Sequence, residues 1–156
     1  MPEYADLVVD LSQFPWCWRS NSIDRIYMHH LLEHFPDPKP VLEQCWRILK
    51  PGGILDITVP HSSNVKAIGC LGHYRTFSYD TLDDYLCRKF YLFENKRLSC
   101  QRKKLVWTMA PQRRMRFLSF FIQPLINLSP RVFERLWHAY VGGAEEVQWV
   151  GKKLLG

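Results

Sequence analysis

The apolar positions of the chain switch between two periods. Tyr4-Ala-Asp-Leu-Val-Val-Asp-Leu11 is a short β-branched run ending at an acid and predicts a strand, and Phe14-Pro-Trp-Cys-Trp18 with Arg19-Ser-Asn-Ser22 reads as a loop. Ile23 to Met28 predicts a second strand. It flows into His29-His-Leu-Leu-Glu-His34, after which Pro36, Pro38 and Pro40 impose an irregular stretch. From Val41 to Leu49 the spacing becomes helical, with Val41, Leu42, Cys45, Ile48 and Leu49 on one stripe. Lys50-Pro-Gly-Gly53 stops that helix and turns the chain sharply into Ile54 to Val59, the most strand-like segment, which Pro60 closes. Asp80 to Leu86 predicts a short helix after a loop. Phe90 to Val106 predicts one or two more strands, 113–127 and 130–141 two helices, and Glu145 to Leu155 a last strand.

Strand, helix, strand, helix implies right-handed crossovers and an α/β fold, a parallel sheet with helices on both faces. No internal repeat and no long linker divides the chain, so residues 1–156 read as one domain. Its length and composition agree. A chain of 156 residues with 47% hydrophobic and 23% charged residues is a globular domain rather than a disordered or low-complexity segment.

Charge divides the domain where hydropathy does not. The net +6 conceals a half, 1–87, with 7 basic and 11 acidic side chains, and a half, 88–156, with 14 and 4. The basic half either faces an anionic partner or is a solvated surface. The five cysteines, Cys17, Cys45, Cys70, Cys87 and Cys100, include no C-x-x-C pair, which argues against a disulfide scaffold or zinc knuckle. Without a secretory pattern at the start, the expected compartment is the cytoplasm. No apolar run is long enough to span a bilayer.

In a parallel α/β sheet the ligand sits beyond the carboxyl ends of the strands. Asp10 and Leu11, then His29 to Leu31, then Pro60 and His61 follow the predicted strands and share that rim. An acid there can accept from a nucleobase amino group or a ribose hydroxyl; alternatively Asp10 caps a turn.

These residues also carry a resemblance. His30-Leu-Leu-Glu-His34, the helix after it, and Leu49-Lys-Pro-Gly-Gly53 followed by a hydrophobic strand and Pro60-His61 resemble a class I S-adenosylmethionine-dependent methyltransferase of the type 11 kind. Further on, His73-Tyr-Arg-Thr-Phe-Ser-Tyr79, Phe133-Glu-Arg-Leu-Trp137 and Ala144-Glu-Glu-Val147 resemble one prokaryotic branch of these enzymes. The resemblance implies a Rossmann-like sheet and S-adenosylmethionine as cofactor. It places Asp10 and Leu11 at the adenine, after the family's third strand, and His30 with Leu31 beside the methionine part, after the fourth. His61, His73 and Arg75 then line the acceptor side as candidate catalytic residues, a histidine to take a proton and the arginine to hold an anionic group.

The departure from the family is equally specific. The eight glycines stand at 52, 53, 69, 72, 142, 143, 151 and 156, so no N-terminal G-x-G cradles the cofactor's amino-acid end. The family's first two strands and first helix are missing too, and the sequence reads as N-terminally truncated, with residues 1–87 the cofactor-side half and 88–156 a basic half carrying helices inserted over 113–141. Loss of a central strand predicts two open ladder edges, and hence a dimer or a partner chain. An isolated chain is expected to bind cofactor weakly or not at all.

Two features invite other readings. His30 and His34 have the i, i+4 spacing of a helical metal pair. No third ligand is evident in the sequence and the methyltransferase resemblance accounts for both, so no metal is expected. Arg113 to Ile126 combines basic residues with a dense apolar run that suits core packing, a lid, or a helix lying on an anionic membrane. The six tryptophans are dispersed, and no nucleic-acid motif appears. The expected function is methyl transfer to an oxygen or nitrogen of a small-molecule or glycan-type acceptor, and the alternative is a non-catalytic subunit whose partner completes the cofactor site. None of the cysteines has a nucleophile's setting, although Cys70 precedes His73 in its loop.

Overall fold

The computed structural model describes residues 7–87, 98–109 and 116–154. Strands β1 (Ile23–His29), β2 (Leu49–Pro60), β3 (Leu98–Val106) and β4 (Glu146–Lys153) form one sheet in the order β1-β2-β4-β3. Only β1 and β2 are parallel, because β4 runs antiparallel to both of its neighbours. The expected wholly parallel sheet is thus corrected to a mixed one. The cause lies in the connection from β3 to β4: Val106, at the end of β3, pairs with Glu146, at the start of β4. The intervening helices leave and return at the same end of the sheet, so the next strand must run back.

Helix α1 (Lys39–Ile48) carries Pro40 in its first turn, where the missing N–H costs no hydrogen bond, and buries Val41, Leu42, Cys45 and Ile48. It leads straight into β2 through Lys50-Pro-Gly-Gly53. A Cβ at Gly53 would stand 2.8 Å from the Lys50 carbonyl oxygen and 3.2 Å from that of Asp24, so the close approach of β1 to this turn requires glycine. Helix α2 (Val65–Gly69), capped by the Asn64 side chain accepting from the Lys66 N–H, occupies a stretch that the sequence pattern leaves as loop. Helices α3 (Thr81–Leu86) and α4 (Arg116–Leu128) match expected ones. The stretch 130–141 is helical with a π-turn over Phe133–Trp137 and ends at Gly142, whose φ is +81°.

The strand register puts Ile26, Met28, Leu55, Ile57, Val59, Val147, Trp149 and Leu105 on one face of the sheet. All but Ile26 are buried, and together with the inner sides of α1 and α3 they make the core. The opposite face carries Arg25, Tyr27, His29, Asp56 and Gln148, with Tyr27 63% exposed.

The strand expected over Tyr4 to Leu11 is not formed where it is described: residues 7–10 belong to no element and 11–15 are turn and bend. Leu7 and Val8 are exposed, and a β-branched run without a ladder beside it has nothing to pair with. Residues 4–6, 90–97, 113–115 and 155 of the expected elements lie outside the described residues. The two open edges expected from the missing strand reduce to one among the described residues, since residues 7–11 do not enter the sheet. Among the described residues, β1 pairs with β2 alone. The far edge, β3, is closed by α4, whose Asn127 accepts from the Leu105 N–H while Gln123 and Asn127 donate to the Leu105 carbonyl and Gln123 accepts from the Trp107 N–H.

Candidate cofactor and acceptor sites

The parallel pair β1–β2 ends at His29 and Pro60, and the residues that follow form the rim. His30 leaves β1 with φ +49°, an uncommon conformation outside glycine, while its N–H still donates to the Thr58 carbonyl of β2. That backbone turn brings the half-exposed imidazole against two buried acids, with Nε2 2.6 Å from the Glu146 carboxylate and Nδ1 3.4 Å from Glu33. Leu31 and Leu11 line one cleft of about 280 Å³ with Trp16, Trp18 and Met28. Asp10 borders it in sequence. Its Oδ1 accepts from the N–H and hydroxyl of Ser12, which holds its carboxyl below the usual carboxylate range and fixes it as an ionised acceptor. The turn-capping reading of Asp10 is therefore correct as geometry.

His61, His73 and Arg75 arrive at the same end of the sheet because loop 73–77 runs beside the end of β2. Phe77 N–H donates to the Pro60 carbonyl, and Ser62 N–H to that of Phe77. The three side chains then part company. Arg75 Nε donates to the Pro36 carbonyl and its guanidinium lines a cleft of about 270 Å³ with Asp37, Lys39 and Tyr85. His73 Nδ1 lies 3.0 Å from the Ala67 carbonyl, a pure acceptor, so Nδ1 carries the proton and Nε2 the lone pair.

His61 is 1% exposed. The Ser63 N–H donates to its Nδ1, which makes Nδ1 an acceptor and leaves Nε2–H to donate to Glu134 at 2.8 Å. Ser63 Oγ, 2.7 Å from Nδ1, in turn accepts from the Ala144 N–H, and Glu134 also accepts from the Tyr79 N–H. With both nitrogens engaged, His61 is a fixed strut rather than a free base. Ser63 and Glu134 are functional candidates that the sequence did not offer, since Glu134 lies 73 residues away from His61. The cysteines are free thiols; burial pushes Cys45 up to about 12 and Cys87 up to about 11, which removes both as nucleophiles.

The rim tests the cofactor that the sequence implies. For the adenine ring it offers the apolar cleft of Leu11 and Leu31, while both ring nitrogens of His30, expected at the methionine end, already face carboxylates. The amino-acid end has no cradle among the described residues: the glycines with positive φ are Gly52, Gly142 and Gly143, none of them on the turn after residues 7–10. Half of a cofactor site fits.

The two histidines with the spacing of a metal pair do not come together: His30 faces Glu146 and Glu33, whereas His34 packs against His73 with ring centroids 4.9 Å apart. Among the described residues, no helix is long and apolar enough to cross a membrane.

Residues 4–57 match the methyltransferase-domain family of type 11. No curated protein matches the chain. Among solved structures, the [4+2]-cyclase SpnF is similar at 17% identity with a TM-score of 0.53, over 95% of this chain and 55% of its own. An S-adenosylmethionine-dependent methyltransferase from Methanosarcina mazei is similar at 14% identity with a TM-score of 0.54, over 96% of this chain and 67% of its own. The chain thus spans little more than half the length of the first of these structures. Residues 4–57 thus carry the sequence signature of the type 11 methyltransferase domain, a family that uses S-adenosylmethionine, and the chain has the Rossmann-like α/β fold of the structures it resembles.

Proposed function

We propose that the chain is an S-adenosylmethionine-dependent methyltransferase unit that transfers methyl to an oxygen or nitrogen of a small-molecule or glycan-type acceptor, and that it needs a second segment or chain to complete its cofactor site. The observation that carries this reading is the half-built rim: Leu11 and Leu31, next in sequence to Asp10 and His30, line a cleft along β1, whose outer edge has no partner among the described residues. The cofactor supplies an electrophilic methyl group on a sulfonium. Asp10 accepts from the adenine amino group, the Leu11 and Leu31 cleft excludes water from its rings, and His30 borders the methionine end. On the acceptor side, the His73 Nε2 lone pair would take the proton of the attacking hydroxyl or amine, and Arg75, in its separate cleft, would hold an anionic group of an acceptor long enough to reach both. His61, with Ser63 and Glu134, positions the wall between them. Catalysis then rests on proximity and orientation more than on covalent help.

Binding by this rim alone is weak and local. Titration of isotope-labelled chain with S-adenosylhomocysteine is expected to shift the backbone amide resonances of Asp10, Leu11, His30 and Leu31 without saturating at sub-millimolar ligand, and Asp10→Ala should abolish the shifts. Shifts confined to other residues, or none at all, would overturn the assignment.

A second proposal concerns α4, where Phe117, Phe120 and Phe121 are 71%, 76% and 55% exposed and Ile126 is the buried residue. Core packing does not account for that face. With Arg116 at its start and the net charge of +10 over residues 88–156, it suits an anionic lipid surface. Co-sedimentation with phosphatidylserine vesicles is expected and should be lost when the three phenylalanines become serine; equal sedimentation of that variant would refute the contact.

A further inference from the structure

We infer that Glu33, His34 and His73 form a binding site for a divalent transition-metal ion of the zinc type. One donor atom from each of the three lies within 4.8 Å of the others. The residues come from two segments, the 3₁₀ turn Leu32–His34 after β1 and the loop that precedes Phe77, and backbone bonds clamp these together: the Glu33 carbonyl accepts from the Tyr74 and Arg75 N–H groups.

Two further observations point to a ligand rather than to chance proximity. Glu33 is fully buried, yet neither carboxylate oxygen has a hydrogen-bond partner. The nearest ring nitrogen is His30 Nδ1 at 3.4 Å, beyond good hydrogen-bond length, and His30 gives its shorter contact to Glu146. A buried carboxylate without partners is costly, and a cation is the usual remedy. Secondly, both histidines are set in one tautomer. His34 Nδ1 lies 2.8 Å from the Gly72 carbonyl and His73 Nδ1 3.0 Å from that of Ala67. Each Nδ1 must donate, so each Nε2 keeps its lone pair. A backbone carbonyl holding the far ring nitrogen is the arrangement by which proteins orient histidines toward a metal.

Two imidazoles and one carboxylate suit zinc or cobalt, and three protein ligands leave a coordination position open. Bond lengths of about 2.0–2.1 Å hold ligand atoms roughly 3.4 Å apart, so donors that lie within 4.8 Å of one another must close by up to about 1.4 Å, a matter of side-chain rotation. The site stands apart from methyl transfer, with one overlap: a metal on His73 takes the lone pair that would otherwise accept the acceptor's proton.

The test is titration of the metal-free chain with Co²⁺ and Zn²⁺. One saturable equivalent, d–d absorption without a sulfur-to-cobalt charge-transfer band, and affinity weakened at least about tenfold by His34→Ala or His73→Ala are expected. His29→Ala, which removes an exposed histidine from the neighbouring strand, should leave binding unchanged. Both histidine variants are to be shown folded by their cooperative thermal transitions, and Glu33→Gln, which keeps the side chain's shape, should weaken binding likewise. No saturable binding, a charge-transfer band from Cys17, Cys70 or Cys100, or affinity equal in the variants and the original would overturn the inference.

Discussion

His30 shows how much one residue carries at the rim. Its backbone turn, at φ +49°, continues the ladder to Thr58, and its imidazole is the partner of a buried Glu146 carboxylate. His30→Ala therefore removes more than a ligand contact, because Glu146 keeps its burial and loses its main partner. The expected destabilisation is about 1–3 kcal/mol in urea unfolding, and a loss below roughly 0.5 kcal/mol would mean that water replaces the imidazole. The sequence singled out His30, His61 and His73 because each follows a readable strand or sits in a resembling motif. It could not name what they touch. Glu146, Glu134 and Ser63 have no spacing signal, because contacts over long sequence distances leave no local period.

At the scale of elements, hydrophobic period located β1, α1, β2, α3 and β4, where each segment buries one stripe or face against a common core. It failed at residues 7–10, where a good strand sequence has no neighbouring ladder, and at α2, whose five residues are set by the Asn64 cap rather than by an apolar stripe. Strand direction was also illegible: nothing in β4 itself says that the chain enters it from the end where β3 stops. The treatment of the two sheet edges is the element-scale lesson. α4 closes the edge of β3 with side-chain amides, and Asn127→Ala leaves the Leu105 N–H without its acceptor. The expected cost is about 1–2 kcal/mol, with faster hydrogen exchange at the Leu105 amide; exchange as slow as in the unmodified chain would show that the edge does not depend on that amide.

For the molecule as a whole, the open edge and the half-built rim lie together. β1 is parallel to β2 and unpaired on its other side among the described residues, and the cleft lined by Leu11 and Leu31, proposed above for the cofactor, runs along it. A strand added along β1 would cover exposed backbone and, if it ended in a glycine-rich turn, would supply the missing cradle in the same step. The fold and the cofactor class were legible in the sequence from Leu49-Lys-Pro-Gly-Gly53 and the residues around His30, as was the absence of an N-terminal glycine motif. The acceptor was not, since His61, His73 and Arg75 reach one end of the sheet and then open into separate places.

The claim that this rim is half of a cofactor site is tested most directly by calorimetric titration of the purified chain with S-adenosylhomocysteine. The account predicts no saturation at micromolar ligand, with affinity well short of the roughly −8 kcal/mol of a micromolar complex. Micromolar binding by the 156-residue chain, lost on Asp10→Ala, would contradict it and show that the rim suffices without a cradle.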